Sequence, residues 1–148
     1  MTASGGATEL VVRRTIAARR ERVFAAWLDP VALARFMCPG EVVRTAVELD
    51  ARVGGRFRIT MHKPSGAVEH RGEYLAIEPP ARLSFTWISV NTDLQPSEVT
   101  VEFLEKGAAT EVVLTHRRLP PRMVGPHREG WTDILTKLEA AALGGSAV

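Results

Sequence analysis

The sequence contains one cysteine, Cys38, so no disulfide can form within the chain. A lone thiol without a local activating pattern reads as a packed side chain, not a nucleophile. Nowhere do 18 apolar residues run together, and no charged-then-apolar leader opens the chain. Both absences argue against a spanning helix or a secretory signal and point to the cytoplasm. The phosphate-cradling P-loop, the dinucleotide fingerprint and the GxSxG elbow are all missing, and no cofactor is implied. Charge of one sign is scarce too: 19 basic residues face 17 acidic ones, for a net charge of +2. Arg13, Arg14, Arg19, Arg20 and Arg22 cluster near the start, but without aromatic interleaving they read as solvated charge. Nucleic acid is therefore not an expected partner.

What remains is the pattern of one α+β domain. At 148 residues, 45% of them hydrophobic, the chain can bury a core. Its strongest signal runs from Gly130 to Leu143. There Trp131, Ile134, Leu135, Leu138 and Ala142 recur at the offsets 0, 3, 4, 7 and 11 of one helical face, with Asp133, Thr136, Lys137 and Glu139 opposite. Asp133 and Lys137 stand in the favourable i, i+4 order, and Gly144 with Gly145 offers a stop. Such a helix needs an apolar partner, and the rest of the chain supplies a sheet.

Residues 1–8 and 144–148 read as disordered tails around a domain spanning 9–143. Glu9 to Ile16 reads as a strand interrupted by Arg14, which either faces inward to a partner or lies at the sheet's wet end. Arg20 to Leu28 puts Val23, Phe24 and Trp27 on one helical face. Asp29 as N-cap with Pro30 after it opens a second short helix through Leu33 and Phe36, and Pro39-Gly40 ends it. Six further strands follow, at 43–50, 56–62, 68–77, 82–89, 98–105 and 110–117, separated by Gly and Pro breaks. A looser connection covers residues 118–129, and His127, Arg128 and Arg122 beside Pro120-Pro121 read as part of a solvated loop.

Alternation sets the inner face. Matching Phe57, Ile59 and Met61 to Tyr74, Gly72 and His70 places Arg58 opposite Glu73 and keeps charge outside. Tyr74 then pairs with Phe85 and Gly72 with Trp87, turning Ser84 and Thr86 outward, while Val99, Val101 and Phe103 meet His116, Leu114 and Val112. Thr100, Glu102 and Glu111 stay outside. The inner face is apolar except for Tyr74, His70, His116 and, if it faces inward, Arg14. Gly72, between Ile59 and Trp87, is expected to open a gap beneath the helix. His62 and His70 fall on opposite faces and no further ligand has metal-binding spacing, so no metal is expected.

The segments RTIAARRERVFAAWLDPVALARF, VGGRFRITM, GEYLAIEPPARLSFTW, TEVVLTH and GWTDILTKLEAAAL, in that order, resemble the bacterial relatives of the C-terminal domain of the activator of heat-shock protein 90 ATPase. That family lies within the START and birch-pollen-allergen (SRPBCC) superfamily. The resemblance covers roughly residues 9–143 and implies a helix-grip fold, a curved seven-stranded antiparallel sheet around the C-terminal helix with a cavity between them. Phe36-Met37 stands where the family often has paired tryptophans, and Arg19 where it has proline; both departures alter the cavity mouth.

The resemblance implies a small hydrophobic ligand, lipid-like or an aromatic polyketide. The expected cavity lining is Trp27, Phe36, Phe57, Met61, Tyr74, Phe85, Trp87, Trp131 and Leu135, with His70 and His116 as polar anchors. Two alternatives stand beside binding. One is a cyclase or aromatase using inward His70, His116 or Tyr74 as acid or base, although no catalytic residue is assigned. The other is a protein-interaction module; the few residues before the first strand, where the eukaryotic activators carry another domain, argue against a chaperone partner. A homodimer through exposed sheet or loop surface fits the pattern.

Overall fold

The described residues are 7–144 of a computed structural model, and they form β1 (Leu10–Ile16), α1 (Arg20–Trp27), α2 (Pro30–Phe36), β2 (Arg44–Leu49), β3 (Arg56–Lys63), β4 (Gly66–Glu78), β5 (Arg82–Trp87), β6 (Ser97–Lys106), β7 (Ala109–Arg117) and α3 (Val124–Gly144). The strands make one antiparallel sheet in the order β1-β7-β6-β5-β4-β3-β2. The expected tails fall largely outside the described residues. Within them, Thr8 is tied down, its carbonyl accepting from the Leu119 N–H at 2.9 Å, and Gly144 closes α3. No described helix is long and apolar enough to cross a membrane.

The helix α3 lies along the sheet as its pattern requires. Trp131, Ile134, Leu135, Leu138 and Ala142 are all buried. The polar side of the helix is not idle, however. Asp133 accepts from the Gly40 N–H at 2.7 Å and pairs with Lys137 at 3.5 Å, and Lys137 donates to the Cys38 carbonyl. Glu139 accepts from the Ala17 N–H at 3.3 Å. Helix side chains read as solvated thus bind the backbone on either side of α1 and α2. Those two helices close the end of the core: Asp29 caps α2 by accepting from the Val31 N–H at 3.0 Å, and Trp27 meets Phe36 edge-on at 5.1 Å.

Expectations about two turns need correction. Residues 118–129 are not a loop. A 3-10 turn at Pro121–Met123 runs straight into α3, which starts six residues before Gly130. Pro126 hides this start from a pattern reading, yet in a first turn its missing N–H costs nothing. The β3–β4 register is also shifted by two residues. Lys63 pairs with Gly66 across a two-residue turn, which sets Phe57 against Gly72, Ile59 against His70 and Arg58 against Arg71. The tighter turn keeps the same residues on the inner face, and Arg58 finds Glu48 at 3.0 Å and Glu69 at 3.4 Å on the outside. Arg14 is exposed, and Ser84 and Thr100 are buried although they lie on the outer face, where cross-strand neighbours shade short side chains.

Gly72 does not open a gap. A Cβ built there would come within 2.0 Å of the Thr86 carbonyl and 2.4 Å of the Phe57 ring, so the position is glycine because the Phe57 ring and the β5 backbone already fill the space. Close by, β4 shifts register against β5 between Tyr74 and Ala76, an irregularity of the kind that bends a strand and deepens sheet curvature. Gly72→Ala is expected to lose at least about 2 kcal/mol of stability in urea unfolding, since backbone on one side cannot yield. A loss below about 0.5 kcal/mol would contradict this account of the packing.

Candidate functional site

A buried hydrogen-bond chain fixes α3 against the sheet. The Trp131 indole donates from Nε1 to His116 Nδ1 at 2.9 Å, and His116 Nε2 lies 2.7 Å from Ser97 Oγ. Ser97 Oγ donates in turn to the Trp87 carbonyl at 2.6 Å. An indole N–H only donates, so Nδ1 must be the acceptor and Nε2 carries the proton. Ser97, having given its own proton to the carbonyl, accepts from Nε2. His116 is fully buried, and burial pushes its pKa down to about 3, with nearby His127 adding to the shift. Both its nitrogens are occupied, which leaves it no free lone pair with which to act as a general base.

The space between helix and sheet divides into two parts. Between the α1–α2 pair and strands β3–β5, Trp27, Leu33, Met37, Phe57, Ile59, Tyr74, Leu83, Phe85 and Trp87 surround a void of only about 10 Å³. No ligand fits there. Toward the N-terminal half of α3 the sheet and helix diverge into an open cleft of about 500 Å³, floored by Trp87, Trp131, Met61 and Ile134. One wall is the turn after α2, with Pro39 and Val42; another is the start of α3, with Met123, Pro126 and His127. That volume suits a small organic molecule. Its width follows from the 121–126 segment being helical and from the Gly40–Asp133 hydrogen bond.

Polar and charged side chains share the cleft lining with the apolar ones. His70, on β4, is 6% exposed, and burial lowers its pKa to about 4. The Ile59 carbonyl beside the ring opposes that shift. His127 donates from Nδ1 to the Met123 carbonyl at 2.9 Å, and desolvation holds its pKa below the usual histidine range. Glu41, Glu129 and Asp133 line the cleft against Lys63 alone. Tyr74 is deep in the filled part, where burial and then Asp50 raise its hydroxyl pKa, so it stays neutral. No cluster of three or more metal-ligating side chains occurs among the described residues.

Of the side chains expected to line a cavity, Met61, His70, Trp87 and Trp131 meet on the cleft. Trp27, Phe57, Tyr74, Phe85 and again Trp87 border the small void. Phe36, Leu135 and His116 border neither. The sequence reading missed Pro39, Val42, Val68, Asn91 and Pro126 as lining. The Asp29–Pro30 cap and the Pro-Gly stop after α2 place the first two in principle; nothing local marks the others.

Residues 17–142 match the family model described as Activator of Hsp90 ATPase homolog 1-like protein. No match was found among curated proteins. Among solved structures, protein CV1439 from Chromobacterium violaceum is similar at 23% identity and a TM-score of 0.81, covering 91% of this chain and 96% of that one. Protein NE0264 from Nitrosomonas europaea aligns at 21% identity and TM-score 0.80, covering 95% and 97%. PFC0360w from Plasmodium falciparum, described as an Hsp90 activator, aligns at 26% identity and TM-score 0.72, covering 90% and 94%.

The lowered histidine pKa values set the sign of a pH effect. A histidine held neutral in the folded state titrates near 6.5 when unfolded, so its contribution is complete above that pH and is lost as the pH falls toward about 3 for His116 and about 4 for His70. Urea unfolding at pH 7, 6 and 5 is expected to show stability falling with acidification by up to about 1.4 kcal/mol per unit per histidine. His116→Gln should flatten that slope while lowering stability at pH 7 by roughly 2 kcal/mol, because the Trp131 and Ser97 partners lose their geometry. A slope unchanged by the substitution would remove His116 from this role.

Proposed function

Because the chain belongs to the Activator of Hsp90 ATPase homolog 1-like family, we propose that it works as a helix-grip binding protein, taking a small, mostly apolar molecule into the cleft at the open end of the grip. One observation carries the reading: a cleft of about 500 Å³ bordered by Trp87 and Trp131 stays open, while the neighbouring void among the aromatic residues of α1, α2 and β3–β5 is only about 10 Å³. Leaving Trp87, Trp131 and Met61 beside open space forfeits contacts that a fully closed core would make. A bound apolar molecule restores them.

Catalysis is the weaker reading. His116 has both nitrogens engaged, Tyr74 is sealed in the packed region, and His70 is buried and held neutral. A chaperone-linked role has one specific support, the description of the Plasmodium relative. Adding this protein to Hsp90 and measuring ATP hydrolysis tests it, and our reading expects no stimulation.

Native mass spectrometry on gently purified protein is the direct test of ligand binding. We expect a discrete added mass, lost on denaturation and recovered as one apolar compound. Val68→Trp, which fills the cleft from a half-buried position on β4, should abolish that mass with little change in melting temperature. A bare chain mass together with no tryptophan-fluorescence response to lipids or aromatic polyketides would refute the binding reading.

A further inference from the structure

The sheet is open, and its two edges are built differently. At the β1 edge the Arg128 guanidinium donates to the Val11 carbonyl at 3.4 Å, and Arg13 and Arg14 stand at the middle of the strand. Any two-fold pairing centred on that strand sets arginine against arginine, which opposes it. A covering group and like charge are common means of keeping a strand edge from pairing with another chain. The β2 edge has neither.

The backbone phase of β2 is fixed by β3. The Asp50 N–H donates to the Arg56 carbonyl at 3.0 Å, one step beyond the pairing of Leu49 with Phe57. Hydrogen-bonded and open pairs alternate along an antiparallel ladder, so Arg44, Ala46 and Glu48 turn their backbone groups toward β3. Thr45, Val47 and Leu49 turn theirs to the outside, where no partner meets them among the described residues. A bulge at Val43, whose N–H donates at 2.8 Å to the carbonyl of His62 opposite Arg44, ends the free edge. Side chains alternate in step. Arg44, Ala46 and Glu48 are exposed on the outer face, while Thr45, Val47 and Leu49 are half-buried on the inner one.

This edge is complementary to itself. Laid antiparallel to a second β2 with the two-fold axis at Ala46, it sets Arg44 opposite Glu48 of the second copy, and Glu48 opposite Arg44. The same register sets Thr45 opposite Val47, whose backbone groups both point outward, so the two exchange N–H and C=O. Arg44 and Glu48 then form an open pair, the kind in which side chains approach more closely. Arg44 has no ion pair among the described residues, and Glu48 meets Arg58 of its own chain at 3.0 Å. Pairing gives Arg44 its carboxylate and places Glu48 between two guanidinium groups. A net charge of +2 adds little long-range repulsion between copies.

We propose that the protein pairs with a second copy of itself through β2 in this register, joining two seven-stranded sheets into one. Strands of six residues bury less surface than a permanent dimer requires. The association is therefore reversible, half complete at on the order of 100 μM. It does not depend on what the cleft binds.

Sedimentation velocity on the full chain from about 10 μM to about 1 mM tests this, with amide hydrogen exchange read by NMR at both ends of the range. We expect the Thr45 and Val47 amides to exchange about fourfold more slowly at the higher concentration, and the Ala46 amide, turned toward β3, to stay unchanged. Arg44→Glu sets like charges across the axis and should weaken dimerisation at least about tenfold. Adding Glu48→Arg restores opposite charges and should return the affinity to within about threefold of the native value. Circular dichroism checks that each variant is folded. Should a charge variant not fold, Ala46→Lys, which sets like charges on the axis itself, replaces it and should show the same loss. A chain that stays monomeric over the whole range overturns the proposal. So does a dimer that leaves the Thr45 and Val47 amides in fast exchange, or one that Arg44→Glu does not weaken, because such a dimer uses another surface.

Discussion

The chain of hydrogen bonds from Trp131 through His116 and Ser97 to the Trp87 carbonyl is the constraint on which the arrangement depends. An amphipathic helix resting on an apolar sheet face can slide or roll, because burial has no direction of its own. Hydrogen bonds in a dry interior do have direction. By fixing one indole of α3 to β7, and β7 to β6 and β5 through a serine, the protein gives the helix a definite height and rotation over the sheet. The outer ties from Asp133, Lys137 and Glu139 to backbone groups near α1 and α2 hold the same helix from its other side.

With the helix held there, the volume beneath it is settled by side-chain size. The aromatic residues of α1, α2, β3, β4 and β5 fill the space between the two short helices and the sheet; Trp27 alone touches Phe36, Phe103 and Trp131. Gly72 belongs to the same economy of space, for its missing side chain is replaced by the Phe57 ring. Only beyond Trp87 and Trp131 do sheet and helix separate enough to leave room. The cleft is therefore a remainder, the part of the grip that this set of side chains does not fill.

Much of this was legible beforehand, because the signals were periodic. The α3 face, the Asp29–Pro30 cap and the alternation in seven strands are local patterns with local causes. So is the facing of His70 and His116 into the interior, which survives a two-residue register shift because side chains alternate with period two. What could not be read was distance. The Lys63–Gly66 turn was tighter than its Pro-Ser-Gly composition suggested, and Pro126 disguised the first turns of α3 as loop. Whether an inward aromatic lines an open cleft or plugs a core depends on volumes summed over five elements, and no single stretch of sequence contains that sum. The partner of His116 lay equally out of reach, since nothing local links Trp131 to a histidine on a strand 15 residues earlier.

The committed Trp131 indole also divides the cleft into a fixed side and an adjustable one. Trp131 cannot be replaced without breaking the bond that seats the helix, so substitution at that position endangers the fold. Met61 and Val68 face each other across the β3–β4 hairpin and carry no such bond. Exchanging them resizes the cleft while the helix stays where it is. A lineage built on this frame has an inexpensive path from one ligand to the next, and that path runs through the hairpin.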